Sequence, residues 1–399
     1  MKLKSFFLSF TLMYSIITNA ADLTVQEFGA GGNYASINAA MTAAVDGDRI
    51  IVIPKAGNAP WVENLTVTKS LTFISDTENG KIKLTGYMRI MPLAALKITI
   101  IGVDMTGGIF SQTALGNSRT IVNIFNSFIN GGIDFQCDNY YVTISATTAG
   151  NTYTRIRSGK LLGNNLGTIV ITDEGAAAYP KISDSIIIIG NRITAGGIAG
   201  STTKYSYFIS NNYVEGIISL ASLKGSSHSI TNNTIYHQSG NGNNYGIIEI
   251  IGLDPGGNLL IMNNLIHGTN LSSTTTTCFK GIGISGIALV GFNYLNNGFD
   301  SYFNGLTDAG TNVTGFPFTL NTNTGAVLTG NLTDVGHPDA TFTDLDLTRN
   351  DVGCYGGSFS MDNFFPANDN NARVYYLELP RRTGAGITTV PVKAEAFDK

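Results

Sequence analysis

The stretches FISNNYVEG (residues 208–216) and ITNNTIYHQ (residues 230–238) each place Asn after an apolar run and before a short apolar pair. The same unit returns along the chain, first at intervals of about 21 residues and then at longer intervals that carry insertions. A repeat of this length predicts a solenoid, and β-branched runs that are too short for helices predict that its coils stack as parallel strands. We therefore predict an all-β fold, a parallel β-helix.

The recurring Asn is predicted to be structural rather than catalytic. Asn tolerates left-handed backbone at a turn, and its amide can hydrogen-bond to the equivalent Asn of the coils above and below. Such a ladder would satisfy turn groups that stacking has buried. We assign to this ladder one residue from each recognisable coil, namely Asp104, Asn126, Asn191, Asn212, Asn233, Asn264 and Asn293.

The first residues are typical of a secretory signal. Lys2 and Lys4 precede an apolar run, and small residues follow up to Ala20, so we expect cleavage after residue 20. No later apolar run approaches the length that a membrane-spanning helix needs. The mature chain is therefore expected to be secreted or displayed at the cell surface.

Composition argues against some partners. The formal net charge is -4 over 399 residues and no basic cluster occurs, which argues against nucleic acid or an anionic membrane as a partner. Cys137, Cys278 and Cys354 lie far apart, with no paired spacing. We expect buried free thiols, with at most one disulfide.

The segments that flank the coils have their own patterns. In residues 34–54, Ile37, Met41, Ala44 and Val45 form one helical stripe ahead of a strand, which predicts a short helix that caps the first coil. The predicted organisation is a signal peptide (1–20), a β-helix domain with its N-terminal cap (21–357), and a linker with a β-hairpin tail (358–399).

The chain contains three further segments: GGNYASINAAMTAAVDGDRIIVIP (31–54), ENLTVTKSLTFIS (63–75) and DLDLTRNDVGCYGG (344–357). Together with the Asn-marked coils, they resemble secreted bacterial members of the pectin-lyase-like right-handed parallel β-helix superfamily. The third segment departs from the usual closing motif at Leu347, where Gly is common, and at Cys354, where Ala is common. The resemblance covers residues 22–357 and implies the fold, whereas enzymes and adhesins share this scaffold.

The resemblance also implies a substrate groove over the second run of each coil. By alternation, the outward residues of five such runs are expected to be Asp134, Ala199, Ser219, Glu249 and Gly283. The candidate catalytic residues are the two acids, Asp134 and Glu249, but at about 4.8 Å per coil they would lie roughly 24 Å apart, too far to flank one bond. Weaker candidates for a loop base are Lys224, Lys280 and His228.

The short strand after each ladder Asn presents tyrosines beside polar groups on its outward side. Stacked rings would make a platform for the flat faces of sugars, although outward Tyr and Thr also suit any β surface. The candidate ligand-binding residues are Arg192, Tyr213, Glu215, Tyr236, His267 and Tyr294.

The closing segment carries oxygen-bearing side chains at alternating positions. Asp344, Asp346 and Asp351 could ligate calcium, the one cofactor that the sequence suggests. Because Arg349 stands where a Gly would help a sharp turn, a hydrogen-bonded turn cluster is the alternative interpretation.

Two classes of function fit these patterns. The absence of a close carboxylate pair and the tyrosine-bearing face favour an exported, non-catalytic protein for surface display or polysaccharide binding. Export and the superfamily resemblance favour the alternative, a polysaccharide lyase or glycoside hydrolase that acts on an acidic polysaccharide. In both cases the expected partner is a polysaccharide or a cell-surface glycan.

Overall fold

The computed structural model describes residues 20–397 with internal gaps. The segments outside the description are 1–19, 78–79, 92–94, 112–118, 137–139, 156–157, 173–184, 202–205, 224–226, 239–245, 270–276, 297–298, 300, 366–372, 379–388, 390–391 and 398–399. The predicted signal segment, Cys137 and Lys224 therefore lie outside the described residues.

Two long sheets form the wall of a tube, and successive coils pair in parallel in both of them. The first sheet comprises 12 strands, Asp22–Val25, Arg49–Val52, Thr72–Ser75, Lys97–Ile101, Thr120–Phe125, Tyr140–Ser145, Ser158–Leu162, Ser185–Ile189, Ser206–Ser210, Ser227–Thr231, Asn258–Met262 and Ile287–Gly291. The second sheet comprises 20 strands, Trp61–Val62, Leu65–Val67, Ile82–Thr85, Met88–Ile90, Val103–Met105, Ile109–Ser111, Phe128–Ile129, Ile133–Gln136, Thr148–Ala149, Thr152–Arg155, Asn165–Thr172, Arg192–Ser201, Tyr213–Glu215, Ile217–Leu223, Thr234–Gln238, Gly246–Leu253, Leu265–Thr269, Thr277–Ile284, Tyr294–Leu295 and Ser301–Asn304. The prediction of a parallel β-helix is confirmed.

The inside of the tube is a continuous apolar core. Side chains alternate across a strand, so each strand sends one column inwards. In the first sheet, Ile124, Ile144, Leu161 and Ile188 stack in register, and all four are 0% exposed. Burial of each such side chain contributes about 1.5–3 kcal/mol, and this repeated contribution holds coil on coil.

An amide ladder runs along one corner of the tube. In each step, the Nδ2 of one Asn donates to the Oδ1 of the next, at 2.8–3.0 Å, and the backbone N–H of the first residue donates to the same oxygen. The ladder consists of Asn164, Asn191, Asn212, Asn233, Asn264, Asn293 and Asn312. Each Nδ2 also reaches a backbone carbonyl, such as that of Ile209 for Asn233.

Two predicted ladder residues lie outside this column. Asp104 pairs in register with Phe128, one position beyond the ladder, and Asn126 lies one position before it with a left-handed φ of 48°. Val103 and Ser127 occupy the ladder positions instead, and the Ser127 Oγ accepts the Val103 N–H at 3.2 Å. A hydroxyl or an apolar group replaces the amide in these early coils, so Asp and Asn do not mark the register there.

In each Asn doublet, one residue forms the left-handed turn and the other forms the ladder hydrogen bonds. The left-handed turn residue is the first Asn of each pair, with φ of 56° at Asn211, 55° at Asn232 and 58° at Asn263. The second Asn enters the ladder from ordinary backbone, contrary to the expectation that one residue would do both. The first Asn is left with a side chain that points out of the corner.

These outward amides fasten the returning chain. After Val313 bridges to Tyr294, residues 313–365, here called the strap, turn back along the side of the tube. Asn211 Nδ2 donates to the Cys354 carbonyl at 3.2 Å, and Asn232 Nδ2 donates to the Asp351 carbonyl at 3.0 Å. The closing segment of the sequence is therefore a docking segment rather than a last coil.

Side chains of the strap also cover one outer face of the coils. Phe316 packs against Tyr294 at a ring-centroid distance of 5.2 Å, and Phe318 lies 5.2 Å from His267. Tyr213 is 0% exposed, and its hydroxyl donates to the Thr322 carbonyl at 2.6 Å. The strap contains the short strands Thr319–Leu320 and Val327–Thr329 and the 3₁₀ turns Ala340–Phe342 and Met361–Asn363.

The N-terminal end carries the predicted capping helix, Ile37–Ala43, which follows the 3₁₀ turn Glu27–Gly32. The Ser36 side chain accepts the Ala39 N–H as an N-cap, and Ile37, Ala40 and Met41 face the core. The assignment of Val45 to the buried stripe was wrong, because this residue follows the helix and is 56% exposed. A further 3₁₀ turn spans Ala56–Asn58.

The C-terminal tail forms the predicted hairpin, with antiparallel strands Arg373–Glu378 and Lys393–Phe397. It lies against the side of the first sheet, where Tyr375 packs on Phe125 at 5.0 Å and Glu395 pairs with Lys160. Cys278 and Cys354 are both buried and free. Among the described residues, no helix has the length and apolar character needed to cross a membrane.

Replacing Asn233 by Ala is expected to lower the free energy of unfolding by about 1–3 kcal/mol, because buried turn groups of two coils lose their partners. Urea unfolding of the purified variant measures the loss. Gln238→Ala, at the exposed end of the strand that follows the same turn, is the matched control and should unfold like the parent protein. Identical curves for both variants would contradict a stabilising ladder.

Replacing Tyr213 by Ala is expected to cost about 3–5 kcal/mol, because it empties a buried ring site beneath the strap. Tyr213→Phe keeps the ring and loses only the bond to the Thr322 carbonyl, for which we expect about 1 kcal/mol. Tyr153→Ala, at a ring that is 43% exposed, serves as the control in the same urea titrations. An equal effect at Tyr213 and Tyr153 would show that the strap does not cover this face.

Candidate functional site

The predicted tyrosine platform exists as a cluster but is not an open surface. Arg192 pairs in register with Tyr213, and Glu215, Tyr236 and His267 follow one another on adjacent strands. Burial raises the pKa of Glu215 and of Tyr213, and lowers that of His267. The outward orientation was predicted correctly, yet the strap buries Tyr213 completely and packs against His267 and Tyr294.

His267 is held between aromatic rings. Its ring stacks on Tyr236 at 5.7 Å and meets Phe318 edge-on at 5.2 Å. Tyr294 is likewise held by Phe316. These residues therefore act as the floor on which the strap is packed.

The opposite outward column, over the second run of each coil, stays outside the strap contacts described above. We call it the groove column. In register from coil to coil it consists of Thr66, Arg89, Phe110, Asp134, Tyr153, Val170, Ala199, Ser219, Glu249, Lys280 and Asn304. Two sequence assignments change here: Lys280 rather than Gly283 stands beside Glu249, and Lys280 is a strand residue rather than a loop base.

The two acidic candidates of this column are far apart. Five strand steps separate Asp134 from Glu249, which is about 24 Å at the spacing of paired strands. Glu249 is only 7% exposed, and its carboxylate is 3.0 Å from Lys280 Nζ and accepts the Ser219 hydroxyl at 3.3 Å. It is a paired structural carboxylate, whereas Asp134 remains half-buried at the surface.

A cluster of aromatic and charged side chains surrounds Asp134. The rings of Tyr87 and Phe110 are 5.1 Å apart, and the Arg89 guanidinium lies 5.6 Å and 5.3 Å from their respective centroids. Such distances favour cation–π contact. The Nε of Arg89 is buried and has no hydrogen-bond partner. We call Tyr87, Arg89, Phe110, Asp134 and Tyr153 the Arg89 patch.

The geometry of the Arg89 patch follows from strand register. Arg89, Phe110, Asp134 and Tyr153 stand on four consecutive strands, so the column spans about 14 Å. Gln136 Nε2 donates to Asp134 Oδ2 at 2.8 Å and orients the carboxylate. Sequence reasoning missed Arg89 and Phe110, although Arg89 alternates between the buried Met88 and Ile90 in the way that the outward rule requires.

The remaining base candidate, His228, points into the tube. It is 2% exposed, and its Nδ1 accepts the Tyr207 N–H at 3.2 Å. Burial lowers the pKa of His228 to about 4. This histidine therefore fills the core and cannot serve a groove substrate.

The aspartates of the closing segment form a turn cluster. Asp344 accepts the N–H groups of Gly357 and, at 2.9 Å, of Asp351. Asp346 accepts from Thr348 at 3.0 Å and 2.7 Å. Burial raises the pKa of Asp344 to about 6, and also raises that of Asp351.

These contacts do not fit the expected calcium site. Both carboxylate oxygens of Asp344, and one oxygen each of Asp346 and Asp351, accept N–H or O–H donors. Within the described part of the chain, no group of three or more His, Cys, Asp and Glu side chains is arranged to hold a metal ion. The cluster instead closes the turns of the strap.

No protein-family model, no curated protein and no solved structure matches this chain. The assignment of a parallel β-helix therefore rests on the structure alone, and the resemblance to the superfamily rests on the residue patterns of the sequence alone.

Proposed function

We propose that this chain is an exported, pectin-lyase-like β-helix protein that binds polysaccharide through the Arg89 patch. One observation carries the proposal: on consecutive strands, aromatic rings alternate with a guanidinium and an oriented carboxylate. Ring faces provide apolar contact for the C–H faces of sugars. Arg89 and Asp134 provide a donor fork and an acceptor at fixed spacing for hydroxyl or carboxylate groups.

The geometry favours binding over bond cleavage. Paired carboxylates in glycoside hydrolases stand roughly 5–9.5 Å apart, whereas Asp134 and Glu249 are separated by about 24 Å. Glu249 is 7% exposed and its carboxylate is 3.0 Å from the Nζ of Lys280, so little of it is accessible to a substrate. Among the described residues of the groove column, the enzymatic alternative would rely on Asp134 and Arg89, two strand steps from each other.

Replacing Phe110 by Ala is expected to weaken polysaccharide retention about 2- to 10-fold, the range for loss of one aromatic contact. Affinity electrophoresis through gels that contain pectate, alginate or a neutral β-glucan measures the dissociation constant. Arg89→Ala should weaken retention on the acidic gels more than on the neutral gel. Phe128→Ala is the control. Phe128 lies in a neighbouring outward column and is 43% exposed, as is Tyr153 of the patch, so its removal should leave retention unchanged.

Unchanged retention of both Phe110→Ala and Arg89→Ala, with the parent protein retained, would place the binding surface elsewhere. The same polysaccharides, incubated with the parent protein and followed for unsaturated sugar ends and reducing ends, test the enzymatic alternative. If the parent protein forms product and the Asp134→Asn variant does not, the function of this patch is catalysis rather than binding.

A further inference from the structure

A cleft of about 750 Å³ opens on a different face of the tube, between the first sheet, the strap and the C-terminal hairpin. Its floor is the outward column of the first sheet, and its walls include Phe359 of the strap and Tyr376 of the hairpin. A volume of this size is typical of sites for small molecules. None of the residues of the Arg89 patch lines it.

The floor of the cleft is charged at one end and mostly apolar along the rest. Lys160, Ile187, Phe208, Ser229 and Leu260 follow one another in register on consecutive strands. Four strand steps make this line about 19 Å long. It begins at an ammonium group and continues over largely apolar side chains, of which Phe208 is 37% exposed.

The charged end of the cleft is built by the docked hairpin. Lys160 pairs with Glu395 and lies 4.3 Å from the centre of the Tyr376 ring. Lys393 Nζ is 3.3 Å from the same Glu395, and the Lys393 side chain remains 59% exposed. The described residues that line the cleft include these two lysines, no Asp or Glu, and ten Ser, Thr or Asn residues.

We propose that this cleft binds a single long-chain carboxylic acid, a fatty acid. The carboxylate lies at the exposed Lys393, next to the Lys160–Glu395 pair, and the alkyl chain runs along Ile187, Phe208 and Leu260. A charged head next to a narrow apolar line matches an amphiphile of one chain. A sugar acid would find hydrogen-bond partners among the Ser, Thr and Asn side chains of the cleft, but it would leave the apolar side chains of Ile187, Phe208 and Leu260 without an apolar contact.

Isothermal titration calorimetry of the mature protein with octanoate, decanoate and dodecanoate tests this assignment. Affinity is expected to rise about fourfold with each added methylene, the increment for burying one CH₂ group. Decanol, which has the chain of decanoate without its charge, is expected to bind about tenfold more weakly. The proposal is overturned if dodecanoate does not bind, if affinity is independent of chain length, or if glucuronate binds as well as dodecanoate.

Two variants locate the ligand. Lys393→Ala should weaken dodecanoate about tenfold and leave decanol unchanged, whereas Phe208→Ala should weaken both. Phe128→Ala, a ring outside the cleft with 43% exposure, is the matched control and should alter neither. Melting curves verify that the variants are folded, which we expect because both altered side chains are partly exposed. Equal affinities for all three variants would place the fatty acid elsewhere on the protein.

Discussion

The hydrogen bond between stacked Asn side chains is the interaction on which the rest of the architecture depends. A chain that turns a tight corner around an apolar core leaves peptide groups that face inwards without partners. The Asn amide offers a donor and an acceptor in one plane, so it serves the coil beneath and the coil above at once. Because each amide polarises the next, the series is cooperative along the axis. In the coils from Asn164 to Asn312, the strand register and the outward columns follow from this corner.

The outer surface is divided by what the strap covers. The first Asn of each doublet directs its amide outward, and these amides with their neighbours hold the strap over the tyrosine-bearing strands. Aromatic residues that would otherwise be exposed become a second, outer core. The groove column and the cleft beside the hairpin lie outside that second core. Both proposed sites are therefore consequences of where the strap lies.

Much of the fold could be predicted from the sequence because period and alternation are local signals. Asn191, Asn212 and Asn233 mark the coil at equal intervals, and the structure places them in one hydrogen-bonded column. Asp104 and Asn126 were misplaced because a valine and a serine occupy the ladder position in their coils. In those coils the residue type no longer reports the register.

The candidate site was less predictable because outward is not the same as exposed. Alternation oriented Tyr213 correctly, but its cover comes from Thr322 and Gly325, more than 100 residues later, and no local pattern connects the two segments. Arg89 and Phe110 were missed for a different reason. Their coils lack the Asn that marks the register in later coils, although the alternation of buried and outward residues identifies both positions as outward.

The strap also limits how this protein can evolve. Solenoids commonly change length by duplicating or deleting a coil, since each coil contacts only its neighbours. Here one continuous segment is fastened at several heights, with Asn211 and Asn232 bonded to it and Phe364 packed so closely on Gly190, at φ 66°, that a Cβ there would come within 2.2 Å. A coil inserted between these points would shift the fastenings by one strand spacing, about 4.8 Å, relative to a strap of unchanged length. The strap thus fixes the number of coils between these points of attachment.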